Sequence, residues 1–144
     1  MTSDVLIVED EDDIRAMISG ILEDEGYEVR EAATSEKALE LVKTRKPNLV
    51  VLDVWLKGSE MDGIELLDAL KSRHASLPVI VISGHGTVET AVAAIRKGAF
   101  DYIVKPFKAE KLIITATRAL ENARLRQENE DCLLYTSPSP RDRG

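Results

Sequence analysis

The chain has 144 residues, and its 26 acidic and 19 basic side chains give a formal net charge of −7. Hydrophobic residues make up 44% of the chain and charged residues 31%, a balance typical of one folded domain rather than of a disordered chain. The negative charge argues against direct binding to nucleic acid or to an anionic membrane. No apolar run approaches the roughly 20 residues of a membrane span, and the N-terminus has no signal-peptide pattern, so we expect a cytoplasmic protein.

The pattern of apolar residues predicts five strands, each followed by a helix. The predicted strands are short runs rich in apolar residues, at 5–8, 27–30, 49–52, 79–82 and 100–104. After each strand, apolar residues recur at the three- and four-residue spacing of a helix with one buried face. These predicted faces are, helix by helix, Ile14, Met17, Ile18, Ile21 and Leu22; Ala38, Leu41 and Val42; Ile64, Leu67 and Leu70; Val88, Ala91, Val92 and Ile95; and Leu112, Ile113, Ala116, Ala119, Leu120 and Ala123.

The composition of the strands predicts their order. Strands that alternate with helices form a parallel sheet with helices on both faces. The first, third and fourth strands are apolar throughout, as buried central strands are, whereas the second alternates and the fifth contains Asp101, which suits edge strands. The predicted fold is therefore α/β, a flavodoxin-like, doubly wound parallel sheet of five βα units with strand order 2-1-3-4-5. Ligands of such sheets bind beyond the carboxyl ends of the strands, next to the first and third.

Carboxylates follow both of these strands. Glu9, Asp10 and Glu11 come after the first strand, and Asp53 ends the third, so we expect the side chains of Glu9, Asp10 and Asp53 to converge. Two like charges about 4 Å apart repel by roughly 4 kcal/mol at an effective dielectric constant near 20. Taken singly, Asp10 is better explained as a helix N-cap and Asp53 as a loop-capping residue. Their joint placement favours a cation site, and the oxygen ligands suit Mg²⁺.

The fourth and fifth predicted strands end in groups that suit a phosphoryl ligand. The fourth strand ends at Ser83, and Lys105 follows the fifth, before a proline that allows a cis peptide bond. Alone, Ser83 could be an ordinary loop residue and Lys105 a solvated surface lysine. Together with the carboxylates, they form a set in which the ammonium neutralises phosphoryl oxygens, the hydroxyl donates a hydrogen bond and Asp53 is the nucleophile.

Five short segments together resemble the receiver domain of bacterial two-component response regulators: Val8-Glu9-Asp10-Glu11, Val51-Leu52-Asp53, Met61-Asp62-Gly63, Ile82-Ser83-Gly84 and Lys105-Pro106-Phe107. The resemblance covers residues 4–120 and implies a CheY-like domain that takes part in phosphorelay signal transduction. It implies that Asp53 accepts a phosphoryl group from a sensor histidine kinase, while Ser83 and Lys105 contact the phosphoryl oxygens. It further implies that Mg²⁺ is bound by the side chains of Glu9, Asp10 and Asp53 and by the backbone carbonyl of Trp55.

The resemblance also implies a conformational switch. Phosphorylation would draw in Ser83 and shift the face formed by the fourth helix, fifth strand and fifth helix, which could form a homodimer or release an output domain. Tyr102 lies where the family has its switch aromatic, and it is equally well explained as a half-buried edge-strand tyrosine. Ile114 and Leu125 lie off the main apolar stripe of the fifth helix and suit a partner as well as partial burial. Such a domain is a phosphoacceptor that assists its own phosphotransfer and dephosphorylation, not an ordinary enzyme.

Sequence features near the phosphoacceptor point to a subgroup. The segment Asp-Val-Trp-Leu-Lys-Gly-Ser at 53–59, with Ile-Ser-Gly-His-Gly at 82–86, resembles nitrogen-regulation response regulators of the NtrX type. This implies sigma-54-dependent transcription regulation by an output domain outside the present chain, which contains no P-loop motif and no basic DNA-reading helix. The loop after Asp53 is about two residues longer than usual and lacks the usual proline. Trp55 and His85 occupy positions that tune the lifetime of the phosphoryl group in this family.

Two other functions fit the same fold. A pseudo-receiver would act as a protein-interaction module without phosphorylation, although the full acidic set with Ser83 and Lys105 argues against it. A flavin-binding electron carrier would share the sheet order. The acidic rim would repel a flavin phosphate, however, and no loop rich in glycine, serine and threonine follows the first strand to bind one.

The chain divides into three predicted parts. Residues 1–121 form the receiver domain, and 122–131 begin a helical linker to an output domain that is missing from this chain. Residues 132–144 are expected to be disordered, and Cys132 to Asp142 resemble the translation of a transposase adapter used in DNA library preparation. We therefore expect the natural protein to continue beyond about residue 131.

Overall fold

Five parallel strands and five helices alternate along the chain in the computed structural model, which describes residues 3–54, 63–84 and 88–135, with side chains up to Leu125. In chain order they are β1 Asp4–Val8, α1 Asp12–Asp24, β2 Glu28–Ala32, α2 Ser35–Thr44, β3 Leu49–Asp53, α3 Gly63–Arg73, β4 Val79–Ser83, α4 Val88–Arg96, β5 Asp101–Val104 and α5 Ala109–Tyr135.

The order of the strands in the sheet is β2-β1-β3-β4-β5, which confirms the prediction from strand composition. The three central strands β1, β3 and β4 are buried along their whole length. The second strand lies one residue later than predicted and is longer, because the whole of 28–32 pairs with β1. All strands run parallel, so their carboxyl ends meet at one edge of the sheet.

Two apolar cores cover the two faces of the sheet, because successive residues of a strand point to opposite sides. In β1, Leu6 and Val8 belong to the core under α2, α3 and α4, whereas Val5 and Ile7 belong to the core under α1 and α5. Each fully buried aliphatic side chain contributes about 1.5–3 kcal/mol. These cores fix the backbone at the point where each strand leaves the sheet.

Glycines follow the ends of two helices. Gly26 follows α1 and Gly98 follows α4, with φ angles of 92° and 105°. Backbone with positive φ is strained for any residue with a Cβ, which is why glycine is common after the last helical turn.

The predicted buried face of α4 is wrong. Among the residues of this helix only Ala94 is buried, while Val88, Val92 and Ile95 are 79%, 42% and 49% exposed. The helix carries one face of alanine and another of branched side chains, and the smaller alanine allows the closer approach to the sheet. The periodicity cannot separate these two faces. Met17, which we placed on the buried face of α1, is likewise 47% exposed.

The last helix is longer than the predicted domain. α5 has 27 residues and continues through the predicted linker at 122–131. It also includes 132–135, which we expected to be disordered. The helix can continue there because Leu133 and Leu134 are good helix formers and no proline lies between Pro106 and Pro138. Residues 136–144 lie outside the described part, and the adapter origin of the segment stays a prediction. In the described residues, none of the helices has both the length and the apolar character needed to cross a membrane.

Candidate functional site

The three predicted carboxylates meet at the carboxyl ends of β1 and β3. These strands pair so that Val8 lies beside Leu52, and Glu9 and Asp53 come next in each. One carboxylate oxygen from each of Glu9, Asp10 and Asp53 lies within 4.8 Å of the other two. Glu9 and Asp53 are buried, and Asp10 is partly exposed. The fold therefore gathers negative charge at the place that the strand order predicts.

Lys105 bridges two of these carboxylates. Its Nζ donates hydrogen bonds to Oε1 of Glu9 at 2.8 Å and to Oδ2 of Asp53 at 2.9 Å. The side chain is 16% exposed, and the backbone N–H donates to the carbonyl of Ser83 at 2.8 Å. The peptide bond between Lys105 and Pro106 is cis. Lys105 is thus a member of the site and not a solvated surface lysine.

Burial and neighbouring charges determine the protonation of this cluster. Burial raises the pKa of Glu9 from its ordinary value of 4.5 to about 8, and a hydrogen bond with Asp53 adds to the effect. Burial lowers the pKa of Lys105, but the two carboxylates outweigh burial and raise this pKa. At neutral pH the metal-free cluster therefore holds a proton on Glu9 beside a charged Lys105.

Ser83 and Tyr102 lie where the strands place them, on β4 and β5. Ser83 is fully buried at the end of β4, beside Val104 of β5. Tyr102 is half-buried and packs against the core under α2, α3 and α4, as an edge-strand tyrosine does. Its hydroxyl is buried and has no hydrogen-bond partner among the described residues. The predicted contributions of Trp55 and His85 fall on residues outside the described part of the chain.

Two residues near the cluster were not singled out from the sequence. Arg15 of α1 donates from Nη1 to the backbone carbonyl of Glu9 at 2.8 Å, and the spacing between Asp12 and Arg15 on one helix was the only available signal. Gly63 donates its N–H to the carbonyl of Val54 at 2.8 Å. It appeared only as part of a motif. Residue 63 lies so close to the backbone at the end of β3 that a side chain would clash with it. The sequence does not reveal this contact.

Carboxylates bridged by a lysine, at the carboxyl ends of the strands of such a sheet, are typical of one class of signalling domain. The sequence model of the response regulator receiver domain family matches residues 5–117, so the chain belongs to this family. Members of the family are signalling domains of two-component systems rather than ordinary enzymes. Membership decides against the electron-carrier alternative.

Among individual proteins, this chain is similar to response regulators of the NtrX type. The chain is 52% identical over 138 residues to the nitrogen assimilation regulatory protein NtrX of Azorhizobium caulinodans, with 96% of this chain and 30% of that protein covered. It is 53% identical over 128 residues to a putative NtrX-like response regulator of Rickettsia bellii, with 89% and 27% covered. The crystal structure of the receiver domain of NtrX from Brucella abortus superposes with a TM-score of 0.80 at 57% identity, covering 82% of this chain and 98% of that one.

These comparisons confirm the resemblance to response regulators of the NtrX type. They also show that the chain spans less than a third of the length of the curated relatives.

Proposed function

We propose that Asp53 accepts a phosphoryl group from a sensor histidine kinase in a reaction that depends on Mg²⁺. The observation that carries this proposal is the cluster itself, in which the Asp53 carboxylate lies within 4.8 Å of two other carboxylates and 2.9 Å from an ammonium group. An aspartate that only capped a loop would not need these neighbours, and their mutual repulsion would cost stability.

The chemistry assigns a role to each side chain. An oxygen of the Asp53 carboxylate attacks the phosphorus of a phosphohistidine, the P–N bond breaks, and the electron pair leaves with the imidazole nitrogen, which takes up a proton. Lys105 keeps its positive charge beside the acceptor and neutralises phosphoryl oxygens, and the hydroxyl of Ser83 donates a hydrogen bond to one of them. We propose that the domain also assists the hydrolysis of this phosphoryl group, with Trp55 and His85 limiting the access of water.

The side chains at the site fit a magnesium ion. Mg²⁺ binds through one or two carboxylates and several waters. Glu9, Asp10 and Asp53 supply such oxygens at the carboxyl ends of β1 and β3, where Asp10 is partly exposed. The ammonium of Lys105 between two buried carboxylates supports this assignment, because it marks a position that requires positive charge. When bound, the ion would neutralise charge on the transferred group. The backbone carbonyl of Trp55 is proposed as a further ligand.

The proposed switch connects Ser83 and Tyr102 to the face formed by α4, β5 and α5. A buried hydroxyl without a partner costs about 1–3 kcal/mol. The hydroxyl of Tyr102 has no partner among the described residues, so a change in its position would break no hydrogen bond to them. The face carries exposed apolar side chains, namely Val88, Val92, Ile95, Val104 and Ile114. Phosphorylation would change the packing of this face.

We propose that this α4-β5-α5 face forms a homodimer or contacts an output domain. The beryllofluoride-activated NtrC4 receiver domain, described as a dimer, is 41% identical with a TM-score of 0.79, covering 83% of this chain and 98% of that one.

By analogy with the NtrX relatives, the output is proposed to be sigma-54-dependent transcription regulation by a domain outside this chain. Direct nucleic acid binding by the receiver itself is not proposed, given its net charge of −7. The cytoplasmic location stays a prediction.

Incubation with Mg²⁺ and a small phosphodonor such as acetyl phosphate is expected to add one phosphoryl group to the protein, as measured by intact-protein mass spectrometry. The Asp53→Asn variant should gain nothing, because an amide nitrogen is a poor nucleophile and cannot form the acyl phosphate. Asp24→Asn, an exposed aspartate at the end of α1, is the matched control and should be phosphorylated as usual. No mass gain in the unmodified chain would instead favour the pseudo-receiver. A gain that survives Asp53→Asn would mean that another residue is phosphorylated, and it would contradict the role of Asp53.

Millimolar Mg²⁺ is expected to raise the melting temperature, and to raise it more at about pH 9 than at about pH 6. Folding raises the pKa of Glu9, so the stability that its proton provides is complete below pH 4.5 and is lost as the pH rises through about 8. The deprotonated carboxylate is then available to the metal. A metal present at about 100 times its Kd stabilises by roughly 2.7 kcal/mol.

Differential scanning calorimetry at both pH values measures this effect. The Glu9→Gln variant cannot titrate at this position and should lose the pH dependence of the magnesium effect. An unmodified protein whose melting temperature is the same with and without Mg²⁺ at high pH does not have the proposed metal site.

A further inference from the structure

Arg15 links three parts of the chain next to the carboxylate cluster. Its Nη1 donates to the backbone carbonyl of Glu9 at 2.8 Å, and its Nε donates to Oε1 of Glu31 at 3.2 Å. Its Nη2 donates to the carboxylate of Asp12 in the same helix. The Arg15 side chain is 16% exposed. Arg15 thus uses the fork of its guanidinium on three acceptors from β2, α1 and the loop between β1 and α1.

These contacts fix the backbone on both sides of Glu9. The N–H of Glu9 donates to the carbonyl of Ala32 at 3.0 Å, and its carbonyl accepts from Arg15. Glu31, which holds the other side of the guanidinium, is the neighbour of Ala32 in β2. The peptide group before Glu9 is therefore tied to the end of β2 directly. The peptide group between Glu9 and Asp10 is tied to the same strand through Arg15 and Glu31. This peptide group joins two of the three carboxylates of the cluster.

We propose that Arg15 is a positioning residue for the metal site: it holds the peptide group that sets the directions of the Glu9 and Asp10 carboxylates. The inference rests on the proposed magnesium site, and it concerns a residue that does not touch the ion. A group that orients metal ligands increases affinity because the ligands need not be ordered on binding.

The direction in which the Mg²⁺ affinity changes when Arg15 is replaced distinguishes a positioning role from a purely electrostatic one. A positive charge near three carboxylates opposes the binding of a cation, so loss of charge alone would strengthen Mg²⁺ binding. Loss of positioning would weaken it. A purely structural ion pair predicts a third result, a lower melting temperature with unchanged affinity.

The test is a calorimetric titration of Mg²⁺ into the unmodified chain, Arg15→Met and Arg118→Met. Arg118 is an exposed residue of α5, so its replacement makes the same change in charge away from the site. We expect Arg15→Met to bind Mg²⁺ about tenfold more weakly, within the range found for groups that orient metal ligands. Arg118→Met should bind like the unmodified chain. Equal or tighter binding by Arg15→Met overturns the proposal.

A second variant covers the case in which Arg15→Met does not fold. Arg15→Lys keeps the charge but lacks the fork, so it should bind Mg²⁺ more weakly than the unmodified chain and less weakly than Arg15→Met. Melting temperatures in EDTA identify a purely structural role, which would lower them while leaving the affinity unchanged and so overturn the proposal. An unmodified chain that binds no Mg²⁺ would overturn the metal site itself, whereas normal binding by Arg15→Lys would overturn only the role of Arg15.

Discussion

Replacement of Lys105 with methionine is expected to lower the free energy of unfolding of the metal-free protein by about 3 kcal/mol at about pH 9. At this pH Glu9 has lost its proton. The substitution removes the cation that lies 2.8 Å from the Glu9 carboxylate and 2.9 Å from the Asp53 carboxylate. Both carboxylates are buried, so water cannot replace the ammonium fully. Removing one partner from a buried set of charges is costly because the others remain uncompensated.

The pH dependence of this loss follows from the pKa of Glu9. Below a pH of about 8, Glu9 retains a proton, which reduces the repulsion that Lys105 would otherwise neutralise. The loss should therefore be smaller at low pH, and Mg²⁺ should recover part of it at high pH by supplying positive charge. Urea denaturation with and without Mg²⁺ measures both effects.

Lys97→Met is the control for the loss of a lysine. Lys97 lies 3.8 Å from Asp68 in an exposed ion pair, and such pairs contribute below about 1 kcal/mol. If Lys105→Met costs no more than Lys97→Met at high pH, the ammonium does not compensate the carboxylates.

Much of the site could be predicted from the sequence because it depends on strand ends. A strand that is buried on both faces must be apolar, so the composition identifies the central strands, and the first polar residue after each then lies at the sheet edge. The sequence therefore predicts that Glu9, Asp10 and Asp53 lie together, as they do in the structure. It also placed Lys105 at the same edge, although not between two carboxylates.

Other features depend on contacts that leave no periodic signal. The roles of Arg15 and Gly63 require the position of a backbone carbonyl in a different element, and no spacing along the chain specifies it. The buried face of α4 was misplaced because alanine and branched residues recur on the same short helix, and the fit to the sheet decides between them. The order of residues along the chain thus predicts where the chemical groups lie, whereas the contacts that orient these groups depend on the tertiary structure.

Gly63 lies against the end of β3, and its replacement with alanine is expected to lower the free energy of unfolding by about 3 kcal/mol or more. A Cβ at residue 63 would lie 2.2 Å from the carbonyl oxygen of Asp53 and 2.5 Å from Cα of Val54. Both atoms belong to the backbone, so no side-chain rotation can relieve the clash. Relief requires displacing the end of β3, which carries the proposed phosphoacceptor.

The variant should therefore lose both stability and phosphorylation. Gly20→Ala is the matched control, because Gly20 lies within α1 and a Cβ there meets nothing within 4 Å. Alanine is favoured over glycine in a helix by about 0.5–1 kcal/mol, so the control should be more stable than the unmodified chain. Urea denaturation measures the two opposite shifts, and mass spectrometry after acetyl phosphate treatment measures the phosphorylation. A Gly63→Ala variant as stable as the unmodified chain would mean that α3 does not begin against the backbone of Asp53.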